Sequence, residues 1–233
     1  MHLLRANVMA TLALVASASV APAQVPTPHL AIGGVGSTLG LGGDVAVGLG
    51  SHLVLRAAKS VGSVGVNQTY NAQAYNLFAK ANNQSLMLDV HPFGGGLYLS
   101  AGKVKNRSTL ILTGQPTNGS YTVNGQVYPA DSVGTLTGAI VLPANPTFLG
   151  LGWDHSIQNN WPASFTWRFG VLHQEKAHVD LGATGPFAQA SNPNYATFQA
   201  QIDAERVKQE TQLDRSAVRN LPVVEIGVRL RLF

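Results

Sequence analysis

The last stretch of the chain, Val223-Val224-Glu225-Ile226-Gly227-Val228-Arg229-Leu230-Arg231-Leu232-Phe233, decides the fold. Its apolar residues occupy alternate positions, and Glu225, Gly227, Arg229 and Arg231 stand between them. Because successive side chains of a β-strand point to opposite faces of the sheet, one face of this strand is apolar and the other is charged. A final strand of this kind predicts that one face meets lipid and the other meets water.

The composition is more typical of a membrane protein built from β-strands than of a soluble domain. The 233-residue chain has 25 glycines, no cysteine and 11% charged residues, whereas about a quarter of the residues are charged in typical soluble domains. Its hydrophobic residues alternate with polar ones over most of its length, as they do in transmembrane β-strands. The lack of cysteine excludes a disulfide scaffold, thiol catalysis and thiolate metal sites.

The first 23 residues predict a cleaved secretory signal peptide. Residues 1–5 give a short basic start, residues 6–20 are apolar and uncharged, and Ala21-Pro22-Ala23 fits a cleavage site. We therefore divide the chain into a signal peptide at 1–23 and an outer-membrane β-barrel domain at 24–233. The charges of the mature part are nearly balanced and scattered along it, which argues against nucleic-acid binding.

Turn signals divide the mature chain into eight runs with a strand-like pattern. The runs are 27–34, 38–49, 52–62, 78–91, 96–113, 134–154, 161–183 and 220–233. Since an unpaired backbone amide in hydrocarbon costs several kcal/mol, strands span a membrane only as a closed sheet. The sequence thus predicts an all-β fold, an eight-stranded antiparallel transmembrane β-barrel of a Gram-negative outer membrane, with both termini in the periplasm. The first run is the least defined, because a single strand over 27–49 would make the count odd.

Three segments interrupt the strand pattern. Residues 63–76 are polar and are predicted as a loop, and residues 121–128 contain Asn-Gly between β-formers, which predicts an extracellular hairpin with a type I′ turn. Within residues 185–219 we expect one short amphipathic helix, 195–215, before the last strand. Its apolar face carries Tyr195, Phe198, Ile202, Gln209 and Leu213, and its charged face carries Glu205, Lys208, Glu210, Asp214 and Arg215. The helix lies either on the extracellular rim or inside the lumen as a plug.

The polar strand faces supply the candidate functional residues. The predicted lumen-facing residues are Asp44, Arg56, Asp89, Arg168, Glu225, Arg229 and Arg231. Side chains nearly fill an eight-stranded interior, so these opposite charges are expected to pair. The result is either a fixed ion-pair network that plugs the barrel or a narrow polar path that selects small charged solutes. On the apolar faces, Trp153, Phe165, Trp167 and Phe169 are predicted to face lipid as an aromatic girdle.

We expect no enzymatic activity, metal or cofactor. None of the seven histidines has metal-ligand spacing to a second ligand such as H-E-x-x-H. His173 and His178 flank Glu175 and Lys176, but this segment is predicted to lie exposed on the extracellular part of a strand. The serine-containing stretches lack the G-x-S-x-G nucleophile elbow.

The C-terminal strand resembles the assembly signal of outer-membrane barrels, a polar residue, a glycine and spaced apolar residues. The matching positions are Glu225, Gly227, Leu230 and Leu232, with Phe233 one place beyond the usual terminal aromatic. The resemblance implies recognition by the barrel assembly machinery and by periplasmic chaperones during biogenesis.

Three stretches of the sequence, together with the predicted helix, resemble a family of small outer-membrane barrels that includes the carbapenem-associated ornithine-uptake porin. They are Leu88-Asp89-Val90-His91-Pro92-Phe93, Gly119-Ser120-Tyr121-Thr122-Val123-Asn124-Gly125 and Phe148-Leu149-Gly150-Leu151-Gly152-Trp153. The resemblance implies a narrow channel for small polar or charged solutes such as basic amino acids, surrounded by outer-membrane lipids and lipopolysaccharide. Two alternatives stay open: a non-conducting structural or surface-interaction barrel, and a soluble lipocalin-like barrel with its apolar residues inside.

Overall fold

The computed structural model of the chain describes residues 28–70, 73–157, 162–215 and 219–232, and the predicted signal peptide at 1–23 lies outside them. The described residues form β1 (His29–Ser37), β2 (Gly40–Gly48), β3 (Leu53–Tyr70), β4 (Gln73–Val90), β5 (Leu97–Asn106), β6 (Thr109–Gln115), β7 (Ser120–Val123), β8 (Gln126–Pro129), β9 (Leu136–Val141), β10 (Thr147–Asp154), β11 (Ala163–His173), β12 (His178–Ala183) and β13 (Asn220–Arg231). Three short helical segments accompany them: α1 (Ala130–Val133), a 3-10 turn (Pro186–Ala188) and α2 (Tyr195–Arg215).

Eight of these strands close into an antiparallel barrel. The order around the ring is β1, β2, β3, β4, β5, β10, β11 and β13, and β13 pairs back onto β1. The closing register places Ala31 opposite Arg231 and Ser37 opposite Glu225. The start of β1 and the end of β13 lie at one end of this barrel, together with the β2–β3 and β4–β5 connections. We call it the terminal end, and we call the opposite end the long-loop end. The predicted eight-stranded barrel is confirmed, and it leaves no open edge within the ring.

The first hairpin is real, although its turn lies later than expected. β1 runs through Gly36, which pairs with Leu41 and Ile226, so 27–34 is too short a range for this strand. The chain turns at Thr38 and Leu39, where the Leu39 amide donates to Ser37 Oγ at 3.1 Å. The prediction of a separate first strand, and hence of an even strand number, is confirmed.

The predicted loop at 63–76 is wrong. β3 and β4, each 18 residues long, continue through it as one hairpin, with residues 71 and 72 outside the described part. Asn76 Nδ2 donates to Asn67 Oδ1 at 3.1 Å across the two strands. Polar composition misled the prediction, because a strand beyond the membrane has water on both faces and needs no apolar alternation.

At the long-loop end, one side of the barrel extends beyond the closed ring as a further sheet, which we call the upper sheet. The upper part of β4 pairs with β6, β6 with β9, and β9 with β12. The β7–β8 hairpin turns at Asn124 and Gly125, whose φ values of 51° and 79° fit the predicted type I′ turn. The predicted hairpin is therefore confirmed.

Helix α2 covers this upper sheet and lies on the rim of the barrel. Phe198 and Ile202 are buried in one apolar cluster with Tyr75, Leu112 and Val179. Glu205, predicted on the charged face, is buried instead, since its carboxylate accepts from the Asn124 amide at 3.1 Å and from Gln209 Nε2 at 3.1 Å. Among the described residues, no helix is long and apolar enough to cross a membrane.

The two faces of the barrel strands meet opposite surroundings. The outer wall exposes leucine, valine and isoleucine side chains, and the inner wall buries charged ones. Trp153, Phe165, Trp167 and Phe169 all point outwards from β10 and β11, so they form one patch on the outer wall. A lipocalin-like barrel with apolar residues inside and charges outside is thereby contradicted.

Candidate functional site

Seven charged side chains meet inside the barrel, at the level where the ring is complete. They are Asp44 of β2, Arg56 of β3, Asp89 of β4, Asp154 of β10, Arg168 of β11, and Glu225 and Arg229 of β13. Each points inwards because it occupies the same set of alternate positions in its strand as the other buried residues. All seven are buried, from 0% exposure at Arg229 to 6% at Glu225. We call this set the ionic layer.

A glycine makes room for one of its ion pairs. Gly33 of β1 is the direct neighbour of both Asp44 and Arg229 in the sheet. A Cβ at Gly33 would lie 2.5 Å from Asp44 Oδ1 and 2.7 Å from Arg229 Cγ. The missing side chain therefore lets the arginine of one neighbouring strand reach the aspartate of the other.

Arg229 and Arg56 are the two hubs of the ionic layer. Arg229 Nε lies 3.0 Å from Asp44 Oδ2, and its terminal nitrogens bind Asp44 and Asp154. Arg56 Nη2 lies 2.6 Å from Asp89 Oδ2. Guanidinium nitrogens of Arg56 also lie 3.9 Å from carboxylate oxygens of Asp44, Asp154 and Glu225. The two guanidinium groups thus bridge carboxylates from four strands.

The third arginine is held by one acid and one aromatic ring. Arg168 Nη2 donates to Glu225 Oε2 at 2.8 Å, and these residues are direct neighbours across β11 and β13. The Arg168 guanidinium carbon lies 4.8 Å from the centre of the Phe148 ring. On the other side, Arg56 donates to the Tyr98 hydroxyl at 3.2 Å, which ties β5 into the layer.

Apolar side chains pack together inside the barrel on both sides of the ionic layer. Ala31, Ala46, Val54 and Ile157 pack together towards the terminal end. Towards the long-loop end the lumen is filled by Met87, Val104, Phe148, Leu172 and Val223, with Leu39 and Leu221 against them. The lumen is therefore stratified, with an apolar layer, the ionic layer and a second apolar layer.

This stratification determines the electrostatics of the site. Buried charges are costly unless they are paired, and removing one partner leaves the other uncompensated. The layer holds four carboxylates and three guanidinium groups, so it carries one net negative charge when all are ionised. Among the described residues, no group of three or more His, Asp or Glu is arranged to hold a metal ion.

Six of the seven predicted lumen residues converge in the ionic layer, and Arg231 does not. Arg231 is half-buried at the rim of the terminal end, with its Nη2 2.8 Å from His29 Nδ1. Asp154 was missed, although it shares the even-numbered face of β10 with Gly150 and Gly152. Strand parity was the signal that could have found it.

The residues of the proposed assembly signal also take part in the folded barrel. Glu225 belongs to the ionic layer, and Leu230 and Leu232 point outwards. A Cβ at Gly227 would lie 2.5 Å from the Gly34 carbonyl oxygen, so this position needs glycine for packing between β13 and β1. Phe233 lies outside the described residues. Recognition of these residues by assembly factors stays a prediction.

Comparison with solved structures places the fold. CarO of Acinetobacter baumannii, a carbapenem-associated outer membrane protein, matches with a TM-score of 0.53 and 20% identity, over 86% of this chain and 96% of CarO. CarO2 of Acinetobacter baumannii matches with a TM-score of 0.55 and 17% identity, over 87% of this chain and 98% of CarO2. No family model matches the sequence, and no curated protein matches it. At these identities the likeness concerns the fold, and the chain has the fold of the CarO outer-membrane barrels.

Proposed function

We propose that this chain is an outer-membrane barrel with a closed lumen that acts at the cell surface. The fold, shared with CarO, supports an outer-membrane barrel protein. In this proposal the chain is exported by its signal peptide at 1–23, reaches the membrane through periplasmic chaperones and the barrel assembly machinery, and has no catalytic activity. The observation that carries the closed state is the apolar layer on each side of the ionic layer.

A closed lumen follows from the cost of moving an ion or a solute through these layers. A hydrophobic constriction excludes water and thereby blocks ions. Phe148 and Leu172 are paired neighbours on the adjacent strands β10 and β11, and both are buried inside the barrel. In the ionic layer, between the two apolar layers, the charged groups pair with one another. What remains available for interaction is the upper sheet with its hairpin and α2.

Planar-bilayer recording of the refolded mature chain tests this proposal. We expect no conductance steps above those of a bilayer without protein. A Phe148→Ser, Ile157→Ser variant thins both apolar layers and is expected to raise the leak if it folds. Stable steps from the unaltered chain would contradict the closed lumen.

A narrow channel for small charged solutes, such as basic amino acids, is the second candidate. It is favoured by the single excess negative charge of the ionic layer, which would attract cations into the barrel. Liposome swelling with lysine or ornithine, compared with glutamate, separates the candidates. If liposomes with the protein swell faster in lysine or ornithine than empty liposomes do, the channel is supported. Equal swelling rates of the two kinds of liposome support the closed barrel.

A further inference from the structure

A group of basic side chains lies on the outer wall of the barrel, away from the lumen. It consists of Lys59 of β3, Lys80 of β4, Lys103 and Lys105 of β5, and Arg107 between β5 and β6. All five are exposed, and the four lysines have the outward parity of their strands. We call them the basic patch.

The sheet register brings these residues together. Lys59 and Lys105 both pair with Gln84 of β4, so they are two strands apart, about 10 Å between Cα atoms. Lys103 lies two residues from Lys105 on the same face, and its Nζ donates to Thr147 Oγ1 at 2.7 Å. The Arg107 amide donates to the Asn82 carbonyl at 2.9 Å, which fixes Arg107 beside the same region of β4.

The charge on the outer wall is one-sided. On the described part of β1, β2, β10, β11 and β13, the outward positions hold no lysine or arginine. No aspartate or glutamate occupies an outward position on any of the eight ring strands over the described ranges. Glu175, on the link after β11, lines the same cavity as Lys103, but the two side chains form no ion pair. The nearest acid at an outward position of the same sheet is the exposed Asp180 of β12, three strands away from β4, so the basic patch attracts anions without competition from acids of the ring strands.

The surroundings of the patch indicate what kind of anion fits it. Towards the terminal end, the same three strands expose Leu55, Leu86, Leu88 and Leu99 on the outer wall. The patch lies on the side of these residues nearer the long loops, and in outer-membrane barrels the long loops are extracellular. An anion with acyl chains in the outer leaflet would place phosphate on the lysines and its chains on the leucines.

We infer that the basic patch binds the phosphate groups of an acylated, phosphorylated glycolipid of the outer leaflet, the chemistry of lipopolysaccharide. This inference rests on the proposed location in the outer membrane. Lysine and arginine bind phosphate through charge-assisted hydrogen bonds, and basic groups at a membrane face bind anionic headgroups. The phosphate contact is confined to one side of the barrel, since the described outward positions of β1, β2, β10, β11 and β13 hold no lysine or arginine.

Binding of diphosphoryl lipid A to the refolded chain in neutral detergent tests the inference, with bound lipid counted by native mass spectrometry. A Lys59→Gln, Lys105→Gln variant is expected to bind about 25-fold more weakly, roughly fivefold for each lost cation. The matched control is Lys176→Gln, Lys208→Gln, which removes the same charge from the rim and α2 and is expected to bind as the unaltered chain does. Lys59→Arg, Lys105→Arg should retain binding.

The readouts separate this inference from the proposed function. Heat-modifiable gel migration shows that each variant is folded, and recovery of the chain without detergent in the soluble fraction would remove the membrane location itself. Equal binding by the patch variant and the unaltered chain, both folded, would overturn the inference, and so would equal loss in the control variant. Equal binding of dephosphorylated lipid A would also overturn it, because acyl contact alone would then suffice.

Discussion

Arg229 and Asp44 form an ion pair across β1, over the position that Gly33 leaves empty. Gly33→Val would drive a side chain into both partners, and overpacking of this kind costs about 1–3 kcal/mol. Gly34→Val is the matched control, because a Cβ at Gly34 meets no atom within 4 Å. We expect urea unfolding in lipid vesicles to show a loss of stability for Gly33→Val and a small change for Gly34→Val. Equal losses would mean that the empty position does not serve the ion pair.

Removing one hub of the ionic layer should be more damaging than removing a rim arginine. Arg229→Ala removes the hydrogen-bonded partner of the buried Asp44 and Asp154 and leaves them only Arg56 at 3.9 Å; breaking a buried pair costs about 3–5 kcal/mol. Arg231→Ala acts at the half-buried rim and is expected to cost less than about 1 kcal/mol. The same vesicle unfolding assay compares the two. A similar cost for both would show that the layer is wetter than its burial indicates.

The outward face of β11 should tolerate charge only near its upper end. Trp167→Arg, if it lies near the bilayer midplane, is expected to destabilise by about 2–4 kcal/mol. His173→Arg, on the same outward face next to the long-loop end, is expected to cost about 0–1 kcal/mol. Folding yield into lipid vesicles and unfolding in urea measure both. Similar effects of the two variants would show that the apolar face does not meet lipid.

Attachment of α2 should weaken in acid through Glu210. The Val179 amide donates to the Glu210 carboxylate at 3.1 Å, and this bond, together with the charges of Arg206 and His178, lowers the pKa of Glu210. A lowered pKa in the folded state stabilises the fold above the ordinary pKa of 4.5 and loses this effect as the pH falls through the folded value. The protection factor of the Val179 amide, its exchange rate compared with the intrinsic rate at the same pH, should therefore fall in acid.

Glu210→Gln provides the control for this pH dependence. In this variant the Val179 amide should have a lower protection factor than in the unaltered chain at neutral pH, and that factor should change less on acidification. Glu175→Gln, at an exposed position on the nearby link, should leave the profile unchanged. An unaltered acid response in Glu210→Gln would assign the effect to another group.

Strand parity made most of the barrel predictable. In β11 and β13 the outward side chains are apolar and the inward ones include Arg168, Glu225 and Arg229, because lipid and a packed lumen impose opposite demands on neighbouring residues. The period of two therefore gave both the strand count and most of the ionic layer. Which carboxylate each arginine binds depends on register and barrel closure, and local sequence does not contain that information.

The errors fall where the membrane stops imposing this alternation. Residues 63–70 and 73–76 continue β3 and β4 although their pattern is polar. Glu205 looks like a surface residue of an amphipathic helix, yet the hairpin turn at Asn124 buries it by donating a hydrogen bond. Both features depend on contacts between segments distant in the chain, so tertiary structure overrode the local pattern.

The closed lumen can be tested most directly by thiol labelling, because the chain has no cysteine of its own. Ser100 points into the lumen and is 3% exposed, whereas Phe93 at the terminal end and Val127 on the hairpin are 82% and 69% exposed. Each residue is replaced by cysteine in a separate variant. The folded variants, in vesicles with reagent on both sides of the membrane, are treated with a membrane-impermeant methanethiosulfonate. We predict rapid labelling at positions 93 and 127, and labelling at position 100 only after unfolding. Labelling of Ser100→Cys in the folded barrel at the rate of Phe93→Cys would contradict the closed, ion-paired lumen.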